Sequence, residues 1–126
     1  MECIPSSITG AFRIQPKVFG DARGFFLESW NRKIFAEIGL DLDFVQDNHS
    51  RSQKNVLRGL HYQVDQLQGK LVWVTQGAVF DVFVYLRRDS PTLGKWDGHI
   101  LSEENKERLW IPPGLAHGFL VLSEYA

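Results

Sequence analysis

The sequence predicts an all-β domain with one short helix, most simply a β-sandwich or barrel. Short runs rich in Val, Ile and aromatic residues recur along the chain, separated by Gly, Pro, Asp and Ser turn signals. Only one window carries a helical period. The 126 residues, 44% hydrophobic and 23% charged, are enough for one core and one domain spanning 1–126.

Taken in order, Phe12–Gln15 alternates, as do Gly24–Ser29 and, in part, Leu42–Gln46. The helix is predicted over Trp30–Ile38. Ser29 stands at the N-cap position, Trp30, Ile34 and Ile38 fall four apart, and Gly39 marks the stop. Val56–Gln63 and Gln68–Val72 read as adjacent strands. Lys70–Thr75 and Ala78–Leu86 flank Gln76-Gly77, a hairpin turn signal. His99–Leu101, Arg108–Ile111 and Phe119–Leu122 complete the set.

If Gln76-Gly77 closes a two-residue hairpin, Val74 faces Val79 and Val72 faces Asp81. Lys70 and Asp81 then share a face as diagonal neighbours. An Asp between Phe80 and Val82 is poorly placed for water, and a paired lysine would keep it charged.

Composition removes several classes of function. The net charge of −1 gives no general attraction for nucleic acid or acidic membranes. Cys3 is the sole cysteine, which excludes an intrachain disulfide and cysteine metal clusters. No apolar run approaches the ~20 residues of a membrane span, and Met1–Pro5 lacks a basic start and an apolar segment. The expectation is a soluble, cytoplasmic protein.

The densest chemistry lies in Arg58, His61 and Lys70, with Gly59 and Gly69 permitting sharp local geometry. A histidine on a strand is more often structural than catalytic. Here neighbouring cations disfavour the imidazolium, leaving His61 a base near pH 7. A metal would ask for His-x-His, but the second position is Gln63, and a distant His117 does not complete a ligand set. Metal-free chemistry is the better reading. Pro112-Pro113-Gly114 delivers His117 onto a strand, either as an ordinary strand-start residue or as a pocket wall. Arg23 sits in a glycine-flanked loop before Phe25 and Phe26; this is a surface turn or a site for phosphate and base. Gln46-Asp47-Asn48-His49-Ser50 is a polar cluster suited to hydrogen bonding.

Together these segments closely resemble the dTDP-4-dehydrorhamnose 3,5-epimerase family. The resemblance is carried from Pro16-Lys17-Val18-Phe19-Gly20-Asp21 through Val56-Leu57-Arg58-Gly59-Leu60-His61 and Gln68-Gly69-Lys70-Leu71-Val72 to Ala116-His117-Gly118-Phe119. It implies a cupin-like double-stranded β-helix (jelly roll), no metal and no cofactor. It also implies a homodimer with exchanged N-terminal strands. The implied substrate is a dTDP-linked 4-keto-6-deoxyhexose, epimerised at C3 and C5 by proton abstraction beside the C4 ketone. In that pattern His61 is the base, Lys70 stands beside the enolate oxygen, and Asp81 supports the lysine. Arg58 contacts phosphate, His117 lines the pocket, and Arg23, Phe25, Glu28, Gln46 and Asn48 match nucleotide-site positions, some serving the partner subunit. Trp73 and Tyr85 depart from the family, which usually has a basic and an acidic residue there. The family's acid tyrosine, and an aspartate paired with the base, are expected beyond Ala126. The C-terminal part of the family fold is thus expected to be missing and the chain weak or inactive. The alternatives are a related cupin 3-epimerase or 3,4-ketoisomerase, and a non-catalytic nucleotide-sugar binding module.

Overall fold

Alternating side chains need two faces to bury against, and the chain solves this with two stacked sheets. The computed structural model describes all of residues 1–126. Its strands are β1 (Glu2–Pro5), β2 (Phe12–Gln15), β3 (Val18–Asp21), β4 (Gly24–Leu27) and β5 (Leu57–His61). They continue with β6 (Lys70–Trp73), β7 (Ala78–Tyr85), β8 (Trp96–Ser102), β9 (Arg108–Ile111) and β10 (Leu115–Val121), with α1 (Arg32–Glu37) between β4 and β5. One sheet has the order β1-β2-β9-β6 and the other β5-β10-β7-β8, while β3 and β4 form a separate hairpin. All pairs are antiparallel.

The main core lies between the sheets. Val79, Phe83, Leu101, Leu115 and Val121 of the second sheet meet Leu109 and Ile111 of the first, with Ile8 and Ala11 closing one side. A second cluster covers the outer face of the first sheet, where Ile14 and Trp110 pack against Phe35 of α1 and Leu40. No helix is long and apolar enough to cross a membrane.

Several sequence expectations shift. The helix begins at Arg32, capped by Asn31, whose side chain accepts the Ile34 N–H at 3.3 Å. Asn31 and Ser29 are both good caps, and the buried docking of Phe35 selects the later start. Gly39 (φ 93°) ends the helix as expected, with Leu40 N–H bonded to Phe35 C=O at 2.8 Å. Leu42–Gln46 forms no strand: it has no ladder partner, and Val45 is 93% exposed. The strands β1 and β3 had no clear sequence signal.

The largest correction concerns Lys70–Leu86, which is not a hairpin. β6 pairs with β9, whereas β7 pairs with β10 and β8. Gln76-Gly77 therefore carries the chain from one sheet to the other. Val72 and Val74 pack across the core against the cluster holding Val79 and Phe83. Side by side in one sheet, those two faces would not cover each other.

Candidate active site

Side-chain parity decides what faces the inter-sheet space. On β7, Val79, Asp81 and Phe83 are buried and point inward. On β10, Leu115, Phe119 and Val121 belong to the same core, so His117 shares their face. On β6, Val72 packs inward, which gives Lys70 the inner face from the opposite sheet.

The edge strand β5 needs a local irregularity to contribute. His61 is the Cα partner of His117 and Arg58 that of Phe119, with a register shift between them. Three steps along β5 therefore oppose two along β10. In a regular strand Arg58 and His61, three apart, point to opposite faces; the bulge brings both inward. Two glycines make this possible. A Cβ on Gly59 would lie 2.7 Å from Gly118 Cα and 2.8 Å from His117 O, and one on Gly118 would lie 2.7 Å from Arg58 O.

Asp81 has no exposure, and its direct partner is His117, not Lys70. His117 Nε2 lies 2.9 and 2.8 Å from the two carboxylate oxygens. Burial pushes the Asp81 carboxyl up, opposed by the His117 hydrogen bond and charge and then by the fields of His99 and Lys70. An ionised carboxylate only accepts, so Nε2–H donates and the imidazole ring is held in place. The lysine reaches Asp81 through space from the facing sheet, which corrects the hairpin-based ion pair.

Two residues not singled out from sequence join this wall. His99 on β8 is the Cα partner of Asp81, and its Nε2 is buried without a hydrogen bond, 3.5 Å from Asp97 Oδ2. Ser52, 7% exposed, accepts a hydrogen bond from Arg58 Nε at 2.9 Å. Neither lies in a motif that distinguishes it from any other His or Ser.

The remaining candidates stand apart. Arg23 pairs with Asp21 at 2.7 Å on the exposed β3–β4 hairpin, Phe25 is 63% exposed with Lys106 Nζ 4.0 Å from its ring centroid, and Glu28 accepts from Asn31. Gln46 Nε2 donates to Asn48 Oδ1 at 3.3 Å on an exposed stretch. Trp73 faces the outer side of its sheet, opposite Arg108, whose guanidinium lies 5.2 Å from the indole centroid. It does not line the inter-sheet space, whereas Tyr85 packs against the core there. A surface groove of about 740 Å³ beside the end of β5 is lined by Tyr62, Tyr85, Arg87 and Arg88 among others, and touches none of His61, Lys70, Asp81 or His117.

Residues 5–126 match the sequence profile of dTDP-4-dehydrorhamnose 3,5-epimerase. The chain belongs to that family. The epimerase of Pseudomonas aeruginosa is 59% identical over the whole chain, which spans 70% of that protein. A crystal structure from Legionella pneumophila, a dTDP-6-deoxy-D-glucose-3,5-epimerase in complex with dTDP-4-keto-L-rhamnose, superposes with a TM-score of 0.93 at 56% identity. That match covers 98% of this chain and 66% of the other. A dTDP-4-dehydrorhamnose 3,5-epimerase from Bacillus anthracis, with TDP and PPi bound, gives a TM-score of 0.93 at 45% identity, covering 98% and 72%. The fold is the family's cupin-like jelly roll, here nearly all-β with one short helix.

Proposed function

We propose that this chain carries the base side of a metal-free epimerase pocket for a dTDP-linked 4-keto-6-deoxyhexose. The C4 ketone acidifies the hydrogens at C3 and C5, so one base and one cation suffice to form the enolate, without a cofactor. His61 takes the proton, a role worth typically about 10²–10⁴ in rate. Lys70, facing it from the other sheet, stabilises the charge growing on the C4 oxygen. Arg58 holds the diphosphate, and His117, fixed by Asp81, lines the sugar site. The observation that carries this reading is the bulged pairing of β5 with β10, which turns Arg58 and His61 toward the face bearing His117 and Asp81.

The nucleotide contacts fall to Arg23, Phe25, Glu28, Gln46 and Asn48, some of them reaching a second subunit. The free-standing hairpin β3–β4 supports this, since Phe19, Phe25 and Phe26 are 55–71% exposed on it. The single-domain 1–126 unit thus works as a cytoplasmic homodimer. Proton removal at C3 and C5 is the step these residues supply, and protonation of the opposite face of the enolate completes each inversion.

The test incubates the chain with dTDP-4-keto-6-deoxyglucose in D2O, after sedimentation equilibrium has established the dimer. Deuterium is expected at C3 or C5, lost in His61→Ala while thymidine diphosphate binding stays nearly intact. Binding without exchange in the folded dimer would sink the catalytic reading and leave a nucleotide-sugar binding module. Product analysis separates exchange at one centre from exchange at two.

A further inference from the structure

We infer that Ser52 is a positioning residue that sets how Arg58 presents its charge to a diphosphate; this rests on the reading of Arg58 given above. A guanidinium has two edges for two-point binding of an anion, one formed by Nε and a terminal nitrogen, the other by the two terminal nitrogens. The hydroxyl of Ser52 accepts from Nε at 2.9 Å, which is the sole hydrogen bond of the Arg58 side chain. One edge is thereby closed. The terminal edge stays open, on a residue that is itself exposed.

The acceptor is fixed in place. Ser52 is 7% exposed. Its N–H donates to Ala126 O at 2.8 Å and its carbonyl accepts from Ala126 N at 3.0 Å. Lys54 N–H bonds Glu124 O at 2.9 Å, and Gln53 bridges Tyr125. Ser52 is thus clamped between its neighbours and the segment after β10, the same strand that positions His61. An arginine left to itself loses considerable rotamer freedom on binding. With Nε already engaged, much of that ordering is done before the ligand arrives, and the fork meets the phosphate oxygens end-on.

Isothermal titration of the full chain with thymidine diphosphate and with thymidine tests this. Ser52→Ala is expected to weaken thymidine diphosphate binding by about five- to tenfold, the scale of one lost orienting hydrogen bond. Thymidine, which lacks the phosphates, should bind unchanged. Ser52→Thr, which keeps the hydroxyl, should restore binding. In an Arg58→Lys background, with no Nε to hold, Ser52→Ala should add nothing further. Equal diphosphate affinity in Ser52→Ala and the parent would overturn the inference, as would an equal loss for both ligands, the mark of a merely structural role. A folded parent that fails to bind thymidine diphosphate would instead overturn the functional reading on which it rests.

Discussion

Asp81 shows how much depends on one side chain at the centre of the sandwich. Its carboxylate has no exposure, sits between Phe80 and Val82 on β7, and spends both oxygens on His117 Nε2. Burial works against its charge, while His117, His99 and Lys70 work for it. These opposing effects give different outcomes for two substitutions. Asp81→Asn keeps the shape and one acceptor and removes the buried charge, so it should cost less than about 1 kcal/mol. Asp81→Ala leaves Nε2–H without an acceptor and opens a cavity, and should cost about 2–3 kcal/mol. Urea midpoints of the two variants measure the difference. Equal losses would mean that the carboxylate's charge, which both variants remove, carries the whole contribution of the pair. His61, on β5 two strands away, is a different case: it is exposed, so its removal should cost little stability, and under the function proposed above it should show in exchange chemistry.

At the level of elements, the β5–β10 contact is the one on which the site turns. The main-chain approach at Gly59 and Gly118 leaves no room for a methyl group, and the listener to any change is backbone, which cannot swing aside. Gly118→Ala should therefore push β5 away, at about 2–4 kcal/mol, and disturb Arg58 and His61 together. Hydrogen exchange should show faster opening of Leu57–His61, with β7–β8 pairing protected as before. Unchanged protection of β5 would show that the bulge absorbs the methyl. This contact also marks the limit of what the sequence discloses. Arg58, His61 and Lys70 stand out by residue type, and Arg108–Ile111 is readable as a strand because Leu109, Trp110 and Ile111 form an apolar run ended by Pro112-Pro113. That Arg58 and His61 share a face is not readable, since their spacing predicts the reverse. The false hairpin at Gln76-Gly77 has a similar origin. A turn signal is local, while the choice of strand partner depends on residues thirty or more positions away, as in the pairing of Lys70 with Ile111.

Across the whole molecule, the two sheets are joined by polar contacts as well as by the core. Asp97 on β8 of the second sheet accepts from Ser6 Oγ (2.6 Å), Ser7 N–H (3.0 Å) and Ser7 Oγ (2.9 Å), all in the connection between β1 and β2 of the first sheet. Gly98 N–H adds a bond at 2.8 Å. Partial burial raises the carboxyl, but these donors outweigh it and bring the pKa from 3.8 down to about 2. The folded state therefore holds the proton less tightly than the unfolded chain. Stability from this group is complete above the unfolded value near pH 4, and is lost as pH falls toward 2. The shift corresponds to something on the order of 2 kcal/mol, reduced by solvent at a side chain that is 22% exposed. Asp97→Asn should accordingly be less stable than the parent by roughly 1–2 kcal/mol at pH 7. Urea midpoints taken from pH 7 to pH 2 should show that gap holding to about pH 4 and narrowing below it, as the parent takes up the proton that the variant has no need of. A gap that stays constant to pH 2 would mean that the seryl donors serve Asp97 through geometry alone and that its charge does not help hold the N-terminal strands to the second sheet.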